Sequence, residues 1–418
     1  MALIVQKYGG TSVGTIERIQ EVAKRVKRFY QRGHRLVIVV SAMSGETNRL
    51  LALAKEAYPN IYSNSQLREV DQIASTGEQV SIGLLSLTLQ SMNLPAISLT
   101  GSQAGINTSF NYSKARIIDI DANKMHHLLN QGNILVVAGF QGINQDNDIT
   151  TLGRGGSDTT AVAVAAAVKA DECQIYTDVD GVYTADPRIV SEAARLPQIT
   201  FEEMLELASL GSKVLQIRAV EFAGKYQVKL RVLSSFTEDD EDQGTLIIFE
   251  EKQMEAPIIS GIAHSCDQAK ITLQSVPDQP GIAYKILKDI ANAGIDIDMI
   301  IQNSSVEGLT DFSFTVARAD AKKSLEILEP IKKDINASAI LCDEHMAKVS
   351  IVGIGMKSHS GIASKIFETL ANENINIQMI STSEIKVSVV IDEKYLELAV
   401  RSLHSGFGLE NINGKIER

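Results

Sequence analysis

The chain has 418 residues, a formal net charge of −11, 44% hydrophobic and 22% charged residues. These are ordinary values for a globular protein of roughly two to four domains, and the negative balance argues against a nucleic-acid or anionic-membrane surface. No apolar window reaches the ~18 residues of a membrane span. Three widely spaced cysteines, Cys173, Cys266 and Cys342, offer neither a zinc motif nor an evident disulfide. The pair His126-His127 has no partner at ligand spacing, so no metal site built from protein side chains is expected. The N-terminus, MALIVQK, lacks the charge and cleavage pattern of a signal peptide, and the chain is expected to be cytoplasmic.

Leu3 to Gln6 is a short apolar strand that runs straight into Lys7-Tyr8-Gly9-Gly10-Thr11-Ser12. Apolar residues then recur at helical spacing from Ile16 to Tyr30, with Thr15 as N-cap and Gly33 as stop. Leu36 to Val40 is a continuous apolar strand of the kind buried on both faces of a parallel sheet. Strand, glycine loop, helix and strand make a βαβ unit, and open α/β sheets bind ligands at such strand ends. The loop Ser41–Asn48 follows another strand end. A helical stretch over 66–91 is interrupted near Ser75–Glu78, where Glu78 reads as a solvated residue near a helix N-terminus. Further strands end in Thr100-Gly101 and Gly139–Gly142.

Thr150–Thr160, TTLGRGGSDTT, is the most informative stretch. Three glycines bracket Arg154, and the alanine-valine run behind them reads as a buried helix, with Ser157 or Asp158 as N-cap by residue type. Glycines at a helix start let the backbone approach an anion and aim N–H groups at it. Gln174 to Thr177 is a strand that leads into DVDGVYTADPR. Two helices fit 201–223, and Leu230–Leu233 is a last inner strand. The run TEDDEDQG at 237–244 reads as a solvated loop, with a domain boundary near 250–260.

The remainder repeats. GIAYKILKDIANAGIDIDMIIQNSS from Gly281 and GIASKIFETLANENINIQMISTSEI from Gly361 align without gaps at an offset of 80, with eleven identities in 25 positions. AKITLQSV near 269 echoes AKVSIVGI near 347. Each copy reads as a small ferredoxin-like βαββαβ module.

The first half therefore offers two glycine loops at strand ends, each with a cation, and an acidic turn, Asp178–Gly181. The histidines are scattered outside these loops, which argues against a hydrolytic triad. Phosphoryl transfer asks mainly for positioning and charge stabilisation. No loop matches the P-loop pattern or the protein-kinase motif set.

KYGGTS at 7–12, VVSAMSG at 39–45, STGEQ at 75–79, LTGSQAG at 99–105, TTLGRGGSDTTA at 150–161, TDVDGVYTADPR at 177–188 and FEEMLELASLGSKVL at 201–215 together resemble the bacterial aspartate kinases. The resemblance extends over essentially the whole chain, and the C-terminal repeat resembles tandem ACT domains. It implies an α/β amino-acid kinase fold, mainly parallel and flanked by helices, over 1–250. Two ferredoxin-like ACT domains at 262–340 and 345–418 would follow, with 251–268 contributing a strand if the copies interleave.

The resemblance also implies the reaction: transfer of the γ-phosphoryl of ATP, with Mg2+, to the β-carboxylate of L-aspartate. It implies Lys7, Arg154 and Asp158 as catalytic residues. Tyr8, Gly9, Gly10, Ser41, Thr177, Asp178, Tyr183, Asp186, Arg188 and Lys213 would join Lys7 around ATP, with Gly9 and Gly10 giving N–H donors. Thr47, Glu78, Gly155, Gly156 and Ser157 would join Arg154 around aspartate, Glu78 taking its α-ammonium. Effector amino acids, lysine or threonine, are expected at Asp278, Gln279, Pro280, Gly281, Ile282 and Ala283, and at Asp296, Ile297, Asp298 and Gln302. A homo-oligomer formed through the ACT copies is also implied. Met254 could start a separate regulatory subunit. The competing readings are a related kinase acting on glutamate, acetylglutamate or a nucleotide, and a non-catalytic amino-acid sensor.

Overall fold

The computed structural model describes residues 1–59, 61, 63–210, 214–237, 242–249, 258–303, 308–354, 356 and 361–410. The chain divides into two compact units. The first is Met1–Val182, Arg195–Ser209 and Lys213–Met254; the second is Tyr183–Ala194, Leu210–Ser212 and Glu255–Arg418.

The first unit begins with β1 (Leu3–Tyr8), α1 (Ile16–Gln31), β2 (Arg35–Val40), α2 (Glu46–Ala57), α3 (Asn64–Ala74) and α4 (Thr76–Ser91). It continues with β3 (Ala96–Leu99), β4 (Ile106–Thr108), β5 (Ile117–Ile120), α5 (Asn123–Asn130), β6 (Ile134–Ala138), β7 (Gln141–Ile143) and β8 (Ile149–Thr151). Then come α6 (Gly156–Val168), β9 (Glu172–Thr177), β10 (Gln198–Thr200), α7 (Phe201–Ser209), α8 (Ile217–Tyr226), β11 (Leu230–Ser234) and β12 (Thr245–Ile248). The main sheet runs β10-β12-β11-β9-β1-β2-β6-β3. Every pairing in it is parallel except β11 with β12. β1, β2 and β6 lie side by side and bury nearly every residue, which is why β2 after Arg35 and all of β6 are continuous apolar runs and β1 departs from one only at Gln6 and Lys7. A smaller sheet, β5-β4-β7-β8, carries the strand that enters the second glycine loop.

Local signals set the helix ends. Thr15 caps α1 by accepting from Arg18 N–H. α6 begins two to three residues earlier than residue type suggests. Its N-cap is Gly155 at φ +68°, so Ser157 and Asp158 are first-turn residues and not caps. A left-handed start suits glycine and displaced the polar candidates.

The second unit holds β13 (Ile258–Ser265), β14 (Gln268–Pro277), α9 (Ile282–Asn292), β15 (Ile297–Gln302), β16 (Leu309–Ala317), α10 (Ala321–Asp334) and β17 (Ala339–Asp343). β18 (Met346–Ile354), α11 (Ile362–Asn372), β19 (Met379–Thr382), β20 (Lys386–Asp392) and α12 (Leu396–Phe407) follow. Its sheets run β15-β16-β14-β17 and β13-β18-β20-β19. The strand before the first copy thus pairs antiparallel with the first strand of the second copy. The two copies meet through equivalent side chains. Lys348 pairs with Asp298 across the copies, and Lys270 Nζ donates to Gln378 Oε1 at 2.6 Å. Asp298 and Gln378 occupy matching places in the repeat, as do Lys270 and Lys348.

Candidate functional site

The carboxyl ends of the central strands are laced together by backbone bonds. Gly9 N–H donates to Tyr176 O, Ser41 N–H to Tyr8 O, Gly139 N–H to Val40 O and Ser235 N–H to Thr177 O. The loops after β1, β2, β6, β9 and β11 therefore share one edge of the sheet, where open α/β sheets place their ligands.

Lys7 sits near the end of β1, in register with Val39 and Ile175. It is only 8% exposed, and its Nζ lies 2.7 Å from Asp158 Oδ1, in the first turn of α6. The contact is an ion pair whose angles are not those of a hydrogen bond. A carboxylate at that position also suits the positive end of the helix. Lys7 and the second glycine loop thus converge: Arg154 lies two residues before the start of α6, and Asp158 two residues after it. Two expectations for the first loop change. Tyr8 is fully buried, stacked on Tyr176 with its hydroxyl donating to Gln6 Oε1, so its side chain faces no ligand. Gly9 N–H is already used by Tyr176 O, which leaves Gly10 N–H as the donor without a backbone partner among the described residues.

The second loop has its backbone held and its side chain open. Leu152 N–H donates to Phe140 O, Arg218 donates to Leu152 O at 2.7 Å, and Gln216 Nε2 donates to Arg154 O at 3.0 Å. A Cβ on Gly155 would fall 2.5 Å from the Gln216 side chain, so only glycine fits there. The Arg154 side chain is exposed and has no ion pair or hydrogen bond among the described residues. Gly156 and Ser157 are buried behind it. A Cβ on Gly139 would lie 2.7 Å from Ser157 Oγ, so β6 ends hard against this turn.

Glu78 differs from its sequence expectation. It is 3% exposed, in the first turn of α4, and Ala42 N–H donates to its Oε1 at 3.0 Å. Its Oε2 is buried without a hydrogen-bond partner among the described residues. Burial pushes its carboxyl up to about 7, against the opposing pull of the Ala42 N–H. Gly77 allows this approach, since a Cβ there would lie 2.8 Å from Ala42 Cβ. Thr47 stands in the first turn of α2, half-buried, after the same loop.

Thr177 and Asp178 follow β9, with Thr177 Oγ1 donating to Asp178 Oδ1 at 3.1 Å. Tyr183, Asp186 and Arg188 belong to the second unit. There Arg188 and Asp186 form a bidentate pair at 2.6–3.2 Å that holds the Asp186 carboxyl below its ordinary range. Lys213 lies outside the described residues, as does Met254. Among the described residues, no group of three His, Cys, Asp or Glu side chains is placed to hold a metal, and no helix is long and apolar enough to cross a membrane.

Residues 2–234 match the amino acid kinase family, and 271–336 and 349–407 each match an ACT domain. An aspartate kinase of Stutzerimonas stutzeri is 61% identical over 98% of both chains, and an aspartokinase of Pseudomonas aeruginosa is also 61% identical over 98% of both. The chain belongs to the amino acid kinase family, as an aspartate kinase. Among solved structures, the kinase is similar to E. coli aspartokinase III in complex with aspartate and ADP, R-state, at TM-score 0.79 and 26% identity, covering 97% of this chain and all of that one. The same E. coli enzyme in complex with lysine and aspartate, T-state, gives TM-score 0.75 at 26% identity over 96% of this chain and 99% of that one.

In the kinase's second unit, Gly281 is the N-cap of α9 at φ +89°, with Asp278, Gln279 and Pro280 exposed before it. Ile282 is buried and Ala283 half-buried at the helix start. Asp296 and Gln302 are exposed and Ile297 half-buried. Asp298 is already engaged. Burial raises its carboxyl, but Lys348, aided by Gln268, outweighs this and holds it below the ordinary range. The residue that sequence reasoning passed over altogether is Asp71, fully buried on α3. Its signal was slight: Asp71 lies three residues before Ala74, the other buried residue of α3.

Proposed function

We propose that the kinase moves the γ-phosphoryl of ATP, supplied as its magnesium complex, to the β-carboxylate of L-aspartate, giving 4-phospho-L-aspartate. The nucleophile has a pKa of about 3.9 and is ionised at neutral pH, so no general base is needed. This accounts for glycine loops that carry no histidine. The obstacle is repulsion between anions, about 4 kcal/mol per pair of unit charges at ~4 Å and an effective dielectric near 20. Lys7 offsets it at the transferring phosphoryl, with Gly10 N–H beside it and Asp158 holding the ammonium in place. Arg154 grips a substrate carboxylate with its planar fork. Glu78 takes the α-ammonium, and Thr47, Gly155, Gly156 and Ser157 line the same pocket. Ser41, Thr177 and Asp178 serve the nucleotide.

One observation carries this reading: Lys7 Nζ stands 2.7 Å from the first turn of the helix that the Arg154 loop begins. Two permanent cations are thereby gathered at one sheet edge. A coupled assay of ADP release with aspartate, glutamate and acetylglutamate tests it. Aspartate should be strongly preferred; preference for either other acid would overturn the assignment, and no turnover would favour the sensor.

The product enters the lysine, threonine and methionine branch, in the cytoplasm. End-product lysine or threonine acts through the ACT copies, at the turn before α9 and along β15. Asp298 serves there as the link between copies, which leaves Asp296 and Gln302 for the effector. The chain works as a homo-oligomer. Support comes from the edge strands β15 and β19, which leave Ile300 and Ile380 exposed at matching places of the repeat. Steady-state rates with lysine and threonine added separately and together test the regulation.

A further inference from the structure

We infer that Asp71 is a positioning residue that fixes the gap between Glu78 and Arg154, and so selects for the length of the acceptor amino acid. The inference rests on the assignment of those two groups to aspartate.

Asp71 is 0% exposed, yet it has no cation beside it among the described residues. Its carboxylate instead collects neutral donors from two other segments. Thr151 N–H donates to Oδ2 at 2.9 Å and Thr151 Oγ1 to Oδ1 at 2.7 Å. Ser113 N–H donates to Oδ2 at 2.8 Å and Ser113 Oγ to Oδ1 at 3.2 Å. Burying an unpaired carboxylate is costly, and only such a full set of donors makes it tolerable. Asparagine has one acceptor oxygen and would turn an NH2 group toward these donors.

The anchored segments are the ones that carry the second loop. Thr151 ends β8, three residues before Arg154. Ser113 adopts φ +65°, a conformation that non-glycine residues seldom hold. Ser113 O would lie 3.2 Å from a Cβ on Gly153, so the braced turn also backs the glycine beside Arg154. The other end of the link is α3 itself. It passes through Ser75 into α4, where Glu78 stands in the first turn. Gln141 Nε2 donates to Ser75 O at 2.8 Å and stiffens that joint. One buried carboxylate thus ties the element bearing the ammonium partner to the loop bearing the carboxylate partner. A second link, Arg68 of α3 with Asp148 just before β8 at 2.7 Å, leaves its arginine 42% exposed and serves as a control.

The ruler matters because a pocket that merely fits discriminates a methylene by only about 10–200-fold. Loosening it should erode that margin. In Asp71→Asn the aspartate KM should rise about tenfold, kcat and the ATP KM should stay within about threefold, and the preference for aspartate over glutamate in kcat/KM should fall about fivefold or more. Thr151→Val, which removes one donor and keeps the shape, should move the same three quantities in the same direction and less, and carries the test if Asp71→Asn does not fold. Arg68→Ala should leave the aspartate/glutamate ratio unchanged. A melting temperature lowered in the Asp71 or Thr151 variant, with aspartate KM and ratio unchanged in the folded protein, would reduce Asp71 to a brace and overturn the inference. Glu78→Gln and Arg154→Ala run in parallel. If they raise the aspartate KM and Asp71→Asn does not, the inference alone fails. If they leave it unchanged, the site assignment fails and the inference with it.

Discussion

The two glycine loops each bring a permanent cation, but they hold it in opposite ways. Lys7 is on a strand bonded on both sides, by β2 and by β9, and its ammonium rests on Asp158. Arg154 is on a loop whose backbone is pinned by Gln216 while its side chain stands in solvent. A charge fixed before the substrates arrive costs no reorganisation during reaction, which is the condition for stabilising a transition state. An exposed arginine must surrender rotamer freedom when it binds, and that loss is recovered only through ground-state contacts. Under the proposed function, Lys7 would serve turnover and Arg154 capture.

The sharpest way to break this contrast is Lys7→Ala. Loss of one preorganised donor should lower kcat by about 10²–10³-fold with the aspartate KM changed little. Steady-state kinetics decide it, because a raised KM with kcat intact would give both cations the same role. Lys7→Arg should not rescue, since a planar guanidinium does not replace a compact ammonium held at 2.7 Å from its partner. The reciprocal change, Arg154→Ala, should raise the aspartate KM about 10–100-fold, the range of one or two charge-assisted hydrogen bonds, with a smaller loss in kcat. A kcat loss as large as that of Lys7→Ala would merge the two roles.

The contrast was only half legible in the sequence. Strand, glycine loop, helix and strand could be read from apolar runs and punctuation, and so could the offset of 80 in the repeat. Which side chains are open could not. β1 buries both faces, so alternation gave no hint that Tyr8 points into the core while Lys7 reaches α6. Glu78 and Asp71 are carboxylates on two successive helices, where solvent is the usual destination. Ser157 and Asp158 are good caps by type, yet a left-handed Gly155 took the position. The motif TDVDGVYTADPR reads as one stretch but divides after Val182, because Thr184 bonds within the second unit, to His404 and through its carbonyl to Ile262 N–H. Nor can a repeat say which copy a flanking strand joins. β13 precedes the first copy and pairs with the second.

Glu78 sharpens the comparison from the anionic side, since it is buried like Lys7 and waiting like Arg154. Its carboxyl is raised to about 7 from 4.5 by burial, and one oxygen lacks a partner among the described residues. An ammonium can be bound only by the ionised form. The aspartate kcat/KM should therefore fall about tenfold per unit as pH drops below about 7, and Glu78→Gln should flatten this limb at a low value. The same shift has a stability consequence of definite sign. Between 4.5 and about 7 the folded state holds a proton that the unfolded state has released, so stability contributed by the neutral acid is full below 4.5 and is lost as pH rises through about 7. Glu78→Gln keeps the neutral shape at every pH. Its melting temperature should match the wild type near pH 5 and exceed it by a few degrees near pH 8, from a difference on the order of 3 kcal/mol at most. Thermal scans across that interval, with no aspartate present, should show the gap opening with rising pH. A gap that is constant, or that opens toward acid, would mean that Glu78 is ionised and satisfied in the free enzyme, and would move it from the waiting groups to the fixed ones beside Lys7.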